Sequence, residues 1–88
     1  MNLNDMSPTT ESSRSRDQIK QTLAFEQRST EELYRSKVEE YRSVTNRFRE
    51  TPDDPQAAQA VYSVAKEVRI ARKRHRRATK VLVGFTGA

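Results

Sequence analysis

The sequence predicts an all-α protein, an antiparallel helical hairpin with a coiled-coil-like seam. Two long segments consist mainly of helix-forming residues, and a proline-flanked stop separates them. In the second segment, apolar residues recur alternately every four and every three positions, which is the heptad pattern of a coiled coil. No segment shows the two-residue alternation that predicts a strand.

The N-terminal segment, residues 1–15, is polar and rich in Ser and Thr, so we expect it to be a disordered tail. It lacks the apolar stretch of a secretory signal peptide, and no run elsewhere is long and apolar enough to span a membrane. We therefore expect a protein that stays in the cytoplasm or is exported without a cleavable general secretory signal.

The first helix is expected over about residues 17–50, a stretch without Gly or Pro. Capping-box patterns at Ser15 and at Ser29 leave its start open, near Asp17 or near Thr30. Aromatic residues and valines recur along one side of this helix. They are Tyr34, Val38, Tyr41, Val44 and Phe48.

The turn Pro52-Asp53-Asp54-Pro55 ends the first helix, because proline donates no amide hydrogen and disfavours helical geometry in the residue before it. Asp followed by Pro is also a typical helix start. The second helix is expected over about residues 55–82, with Gly84 as its C-terminal cap and residues 84–88 frayed. Its heptad positions are Ala57, Val61, Val64, Val68, Ala71, His75, Ala78 and Leu82.

So short a linker predicts that the two helices run antiparallel, with residues equally far from Asp53 facing each other. Residues 66–80 then lie opposite about residues 26–40. We expect the basic side chains of the first stretch to pair with the glutamates of the second. These residues are Lys66, Arg69, Arg72, Lys73, Arg74, Arg76, Arg77 and Lys80, opposite Glu26, Glu31, Glu32, Glu39 and Glu40.

The composition leaves little material for an interior. Of the 88 residues, 33% are hydrophobic and 33% charged, and two helices cannot enclose a complete core. An apolar flank that includes Leu33, Tyr62, Ala65 and Ile70 therefore needs a cover, from another helical protein or from a second copy in a homo-oligomer. We predict a partner-binding seam formed by Tyr34, Val38, Tyr41, Val44, Phe48, Val61, Val64, Val68, Ala71 and Leu82.

The sequence contains no recognisable catalytic or metal-binding constellation. It has no Cys and one His, and no nucleophile is paired with a base, so we expect neither an enzyme nor a cofactor or metal. His75 lies between Ala71 and Ala78 on the heptad seam, where we expect a partly buried packing residue. The alternative is a pH-sensitive seam residue.

The second half of the chain is strongly basic: residues 55–88 carry 8 basic residues and 1 acidic residue. Since a cationic helix can neutralise phosphates, RNA or DNA binding is the alternative function, and an acidic protein surface is another fitting partner. No aromatic, Asn or Gln residue lies between positions 69 and 80 to stack on or read a base. The candidate nucleic-acid contacts are Arg69, Arg72, Lys73, Arg76, Arg77 and Lys80.

The chain from Pro52 onward resembles the needle subunits of bacterial type III secretion systems. Its turn, Pro52-Asp53-Asp54-Pro55, is similar to the family's proline-flanked turn, and the stretch from Gln56 to Arg72 is similar to the start of the family's second helix. The resemblance implies a non-enzymatic assembly subunit. Because the basic stretch from Arg72 to Lys80 departs from the apolar C-terminal helix of needle subunits, their small helical co-chaperones are the alternative within this class.

Overall fold

The computed structural model describes residues 8–87, with side chains from residue 15 onward. It consists of two helices, α1 (Pro8–Glu50) and α2 (Pro55–Thr86), which pack against each other. No strand occurs within the described range. The predicted helical hairpin is confirmed.

The hairpin is long and thin. Its principal extents are 74 × 28 × 13 Å, and its radius of gyration is 21.0 Å. A compact domain of this length would have a radius of gyration of about 12 Å. The extended shape fits a coiled-coil-like pair of helices with one layer of contacts between them.

Local hydrogen bonds at the turn explain the sharp reversal of the chain. The Thr51 amide donates to the Arg47 carbonyl at 3.0 Å, which completes the last turn of α1. The Asp54 carboxylate then accepts a hydrogen bond from the Gln56 amide at 2.9 Å, and Pro55 occupies the first helical position. The aspartate satisfies one of the unpaired amides at the helix start, as its position before proline predicts.

Contacts between the helices confirm the predicted register. The Gln27 side-chain amide donates to the Thr79 hydroxyl at 3.4 Å, and these two residues are equidistant from Asp53 in the sequence. Closer to the turn, the Lys37 ammonium lies 2.8 Å from the Glu67 carboxylate. The helices are therefore antiparallel with little stagger.

Small apolar side chains line the centre of the interface. The buried hydrophobic residues are Ala57, Val64, Ala71 and Ala78, which are seven residues apart and occupy one heptad position of α2. Alanine at this position lets the two backbones approach closely. No large side chain in the described part of the chain is fully buried, so the interior is too thin to resemble a globular core.

Thr45 carries a buried hydroxyl oxygen without a hydrogen-bond partner among the described residues. Such an atom lowers the free energy of unfolding by about 1–3 kcal/mol, because its hydrogen bond to water is lost on folding and not replaced. We expect Thr45→Val to raise the free energy of unfolding by about 1 kcal/mol, measured by urea denaturation at one protein concentration. Thr22→Val, at an exposed position of the same helix, is the control, and an equal gain there would contradict this explanation.

The N-terminal boundary differs from the prediction. Instead of starting near Asp17 or near Thr30, α1 begins at Pro8. Proline suits the first helical position, because its fixed φ is already helical and the amide it lacks would have no intrahelical partner. Residues 8–15 of the expected tail are thus helical, and residues 1–7 lie outside the described residues.

The two serine capping-box patterns do not mark helix starts, because Ser15 and Ser29 both lie inside α1. Beside the second of them, the Thr30 hydroxyl donates to the Glu26 carbonyl at 2.8 Å. This side-chain hydrogen bond reaches back one turn along an uninterrupted helix.

The C-terminal boundary also differs. α2 continues through Gly84 to Thr86, and Gly87 is the cap, with φ at 112° and its amide donating to the Val83 carbonyl. The structure thus places the end of α2 at Thr86, beyond the predicted residue 82. Residues 84–86 are helical, and Ala88 lies outside the described residues. The last turn contacts α1, since the Arg16 guanidinium lies 5.4 Å from the centre of the Phe85 ring.

Candidate interaction surfaces

The predicted partner-binding seam lies mainly between the two helices of the hairpin. Val64 and Ala71 are buried, Tyr41 is exposed, and the other members are half-buried. The half-buried members are Tyr34, Val38, Val44, Phe48, Val61, Val68 and Leu82. These residues hold α1 against α2, so the surface open to a partner lies beside the seam.

A polar layer interrupts the seam around His75. The imidazole stacks on the Tyr34 ring with the ring centres 6.2 Å apart, and its Nδ1 lies 3.4 Å from the Thr30 hydroxyl oxygen. His75 is half-buried, as expected for a packing residue. Within the described residues, no three His, Asp or Glu side chains lie close enough together to hold a metal ion.

The expected pairing between the glutamates of α1 and the basic residues of α2 is wrong. Between the helices, the ion pair found within residues 15–87 runs the other way, from Lys37 of α1 to Glu67 of α2. The Lys37 ammonium also contacts Glu40 at 3.2 Å. The pKa of Lys37 lies above its ordinary value. The larger cause is the hydrogen bond of its ammonium to Glu67, and the hydrogen bond to Glu40 adds to it.

Local geometry explains why the predicted pairing fails. Glu31 pairs with Arg35 at 2.8 Å, and Glu39 pairs with Arg42 at 3.3 Å, both within α1. Residues three or four apart on one helix are already neighbours, so such pairs need no reach across the hairpin. Glu26 and Glu32 take part in no ion pair of the described residues, and no carboxylate there pairs with a basic side chain of α2.

Seven of the eight basic residues of α2 fall into two sets by their position around the helix, and the eighth, Arg72, lies beside His75 and Thr79. The first set, here called the basic stripe, lies on the face turned away from α1 and comprises Lys66, Arg69, Lys73, Arg76 and Lys80. Arg74 and Arg77 lie closer to α1, at the edge of a surface groove. All six predicted nucleic-acid contacts are exposed: Arg69, Arg72, Lys73, Arg76, Arg77 and Lys80.

The groove runs along one side of the hairpin, between the helices, with a volume of about 480 Å³. Its apolar residues are Leu23, Leu33, Ala78 and Val81, of which Leu33 is 40% exposed and Val81 47%. Around them lie the charged and polar lining residues Glu26, Ser29, Thr30, Arg74 and Arg77. The groove thus joins an apolar floor to one acidic and two basic side chains.

The sequence prediction found only part of this groove. Leu33 was expected on an apolar flank and lines the groove, and Ile70 is 50% exposed one turn before Arg74. Tyr62 and Ala65 do not line it. The prediction lacks Leu23 and Val81. Val81 lies three residues after the heptad residue Ala78, which indicates the same side of α2, whereas no seam residue lies within four positions of Leu23.

Comparison with family models, with curated proteins and with solved structures finds no match for this chain. Neither helix, over the residues described, combines the length and the apolar character needed to cross a lipid bilayer.

Proposed function

We propose that this chain is a non-enzymatic assembly subunit that pairs with a second copy of itself through the groove. The observation that carries the proposal is the groove itself, where Leu33 and Val81 stay exposed while the hairpin interior holds only small buried residues. Two hairpins packed groove to groove form a four-helix bundle, the usual way in which helices with one apolar side complete a core.

The charges on the groove are self-complementary, which favours a second copy as the occupant. If the two-fold axis lies between the two hairpins and parallel to their long axes, α1 of each copy packs on α2 of the other copy, and these two helices are antiparallel. Glu26 lies at the same height along the hairpin as residue 80, since both are 27 residues from Asp53 in the sequence. Glu26 of one copy therefore comes within a helical turn of Arg77 of the second copy, and the contact is repeated by symmetry.

The resemblance to type III secretion proteins supports the same class of function. A needle-like subunit would use the groove to bind further copies of itself, whereas a small helical co-chaperone would use it to bind a needle subunit in the cytoplasm. The turn from Pro52 to Pro55 carries the resemblance, and its capping geometry explains how so short a linker reverses the chain. The self-complementary charges lead us to propose the homo-oligomer.

Charge reversal at the groove tests the proposal. We expect Glu26→Arg and Arg77→Glu each to raise the dimer dissociation constant at least about tenfold, because each places like charges together in the interface. The double variant restores opposite charges and should return most of the affinity. Sedimentation velocity across a wide dilution series measures all four proteins.

Two results would contradict the proposal. One is a wild-type chain that stays monomeric and fully helical at every concentration. The other is a double variant that associates no better than either single variant, because the two residues would then not contact each other across the interface.

A further inference from the structure

We infer that α2 carries a second binding site, separate from the groove, for the phosphate backbone of a double-stranded nucleic acid. The site is the basic stripe, on the face of α2 turned away from α1. Five basic side chains lie there in one line, and none is paired with a carboxylate of the described residues.

Helix geometry makes the stripe continuous. Its members are spaced alternately three and four residues apart, so they follow each other along one face of α2. From Lys66 to Lys80 the line spans about 21 Å at 1.5 Å per residue. All five side chains are exposed, which leaves their charged groups free to reach a ligand.

The stripe keeps its charge because its surroundings do not neutralise it. After Glu67, α2 contains no acidic residue, and Glu67 itself is bound by Lys37 on the side facing α1. The width of α2, about 10 Å, separates the glutamates of α1 from the stripe. At physiological salt the screening length is about 8 Å, so they weaken the field of the stripe only slightly.

The chemistry of the stripe favours duplex nucleic acid over other anionic ligands. A duplex carries one negative charge per about 1.7 Å of axis, so a straight line of cations meets many phosphates. Residues 66–80 contain no Phe, Tyr or Trp to stack on the bases of a single strand. Within residues 66–80, Ile70 is the one large apolar side chain that is exposed, which is too little apolar surface to hold a helix in a lipid interface.

Binding should be independent of sequence. Lys and Arg side chains along the backbone contact phosphates, and the stripe offers no Asn or Gln for bidentate contacts to adenine. The groove opens on a different side of α2, so an assembled dimer would leave both stripes accessible. The two activities can therefore be tested separately.

Fluorescence anisotropy of the full chain with a labelled duplex of mixed sequence tests the inference over a salt series. For up to five phosphate contacts, the plot of log binding constant against log salt should fall with a slope of about −3 to −5. The triple variant Arg69→Gln, Lys73→Gln, Arg76→Gln should make this slope shallower by about 3, because each side chain contributes about one phosphate contact. Its affinity should fall at least about tenfold at low salt.

A second triple variant on α1 provides the matched control. Arg28→Gln, Arg35→Gln, Arg42→Gln removes the same charge from exposed positions seven residues apart, two of which are paired with glutamates. Its salt slope should stay close to that of the wild type. Circular dichroism checks that both triples remain helical, as expected because Gln is a good helix former.

The following results would overturn the inference. They are a wild-type chain that fails to bind duplex at low salt, equal losses in the two triple variants, and tighter binding to a single strand, an acidic peptide or anionic vesicles than to the duplex. If the triple variant of the stripe lost its helix, the salt slope of the wild-type chain and the comparison of its affinities for the different ligands would still test the inference.

Discussion

Val64→Asp is expected to unfold the hairpin at neutral pH. Val64 is only 6% exposed, and a buried ionised carboxylate costs several kcal/mol unless it is paired. Glu67, one turn further along α2, would add like-charge repulsion. The free energy of unfolding of small domains starts at about 5 kcal/mol. Because the interior of this hairpin is thin, we expect a value near that lower end, so the substitution should remove most of the helical signal.

Far-ultraviolet circular dichroism and thermal melting measure the effect, with Val83→Asp as the matched control. Val83 lies on the same helix but is 54% exposed, so the same change should lower the free energy of unfolding by no more than about 1 kcal/mol. Equal destabilisation by both variants would mean that the heptad position of Val64 is not the packing centre of the hairpin.

Leu33→Asp is expected to abolish self-association while leaving the hairpin helical. Leu33 lines the groove and is 40% exposed, so the monomer keeps the new carboxylate in water. In the proposed dimer, both carboxylates would lose their water beside Arg74, and even a buried ion pair often fails to recover the cost of desolvation. A loss of several kcal/mol corresponds to at least about a hundredfold weaker association.

Phe25→Asp is the control for this prediction. Phe25 is a large hydrophobic residue of the same helix and is 64% exposed, but it lies beside Gln18, Gln21 and Thr22, away from the groove. Light scattering at matched concentrations should show a dimer for this variant and a monomer for Leu33→Asp. The opposite result would place the association surface on the outer face of α1.

The hairpin and its register could be predicted because they depend on local signals. Proline ends α1, the aspartate and proline at the turn start α2, and a short linker leaves only an antiparallel arrangement. Heptad spacing then places Val64 and Ala71 inside, whichever rotamers their neighbours adopt. The contact between Gln27 and Thr79 confirms the register that follows from counting outward from Asp53.

The helix ends were less predictable, because several residues compete for each cap. Ser15 and Ser29 both match a capping box, yet neither starts a helix when no residue before it breaks the preceding turn. At the other end, Gly84 fits inside the helix, and Gly87 adopts the left-handed conformation instead. The contact of Arg16 with Phe85 adds a tertiary stabilisation that no local pattern contains.

By itself the sequence determined the helical hairpin, its antiparallel register and the strongly basic character of α2, since proline positions, heptads and charges act over a few residues. Only the tertiary structure decided which charges meet and which apolar residues stay exposed. Glu31 and Glu39 pair along α1 and not across the hairpin, and no carboxylate of the described residues pairs with the basic stripe. Leu23 of α1 and Val81 of α2 line the same groove, although they are far apart in the chain. The side-by-side packing of the helices brings the two residues together, and the rotation of each helix about its own axis turns both side chains to the same side of the hairpin.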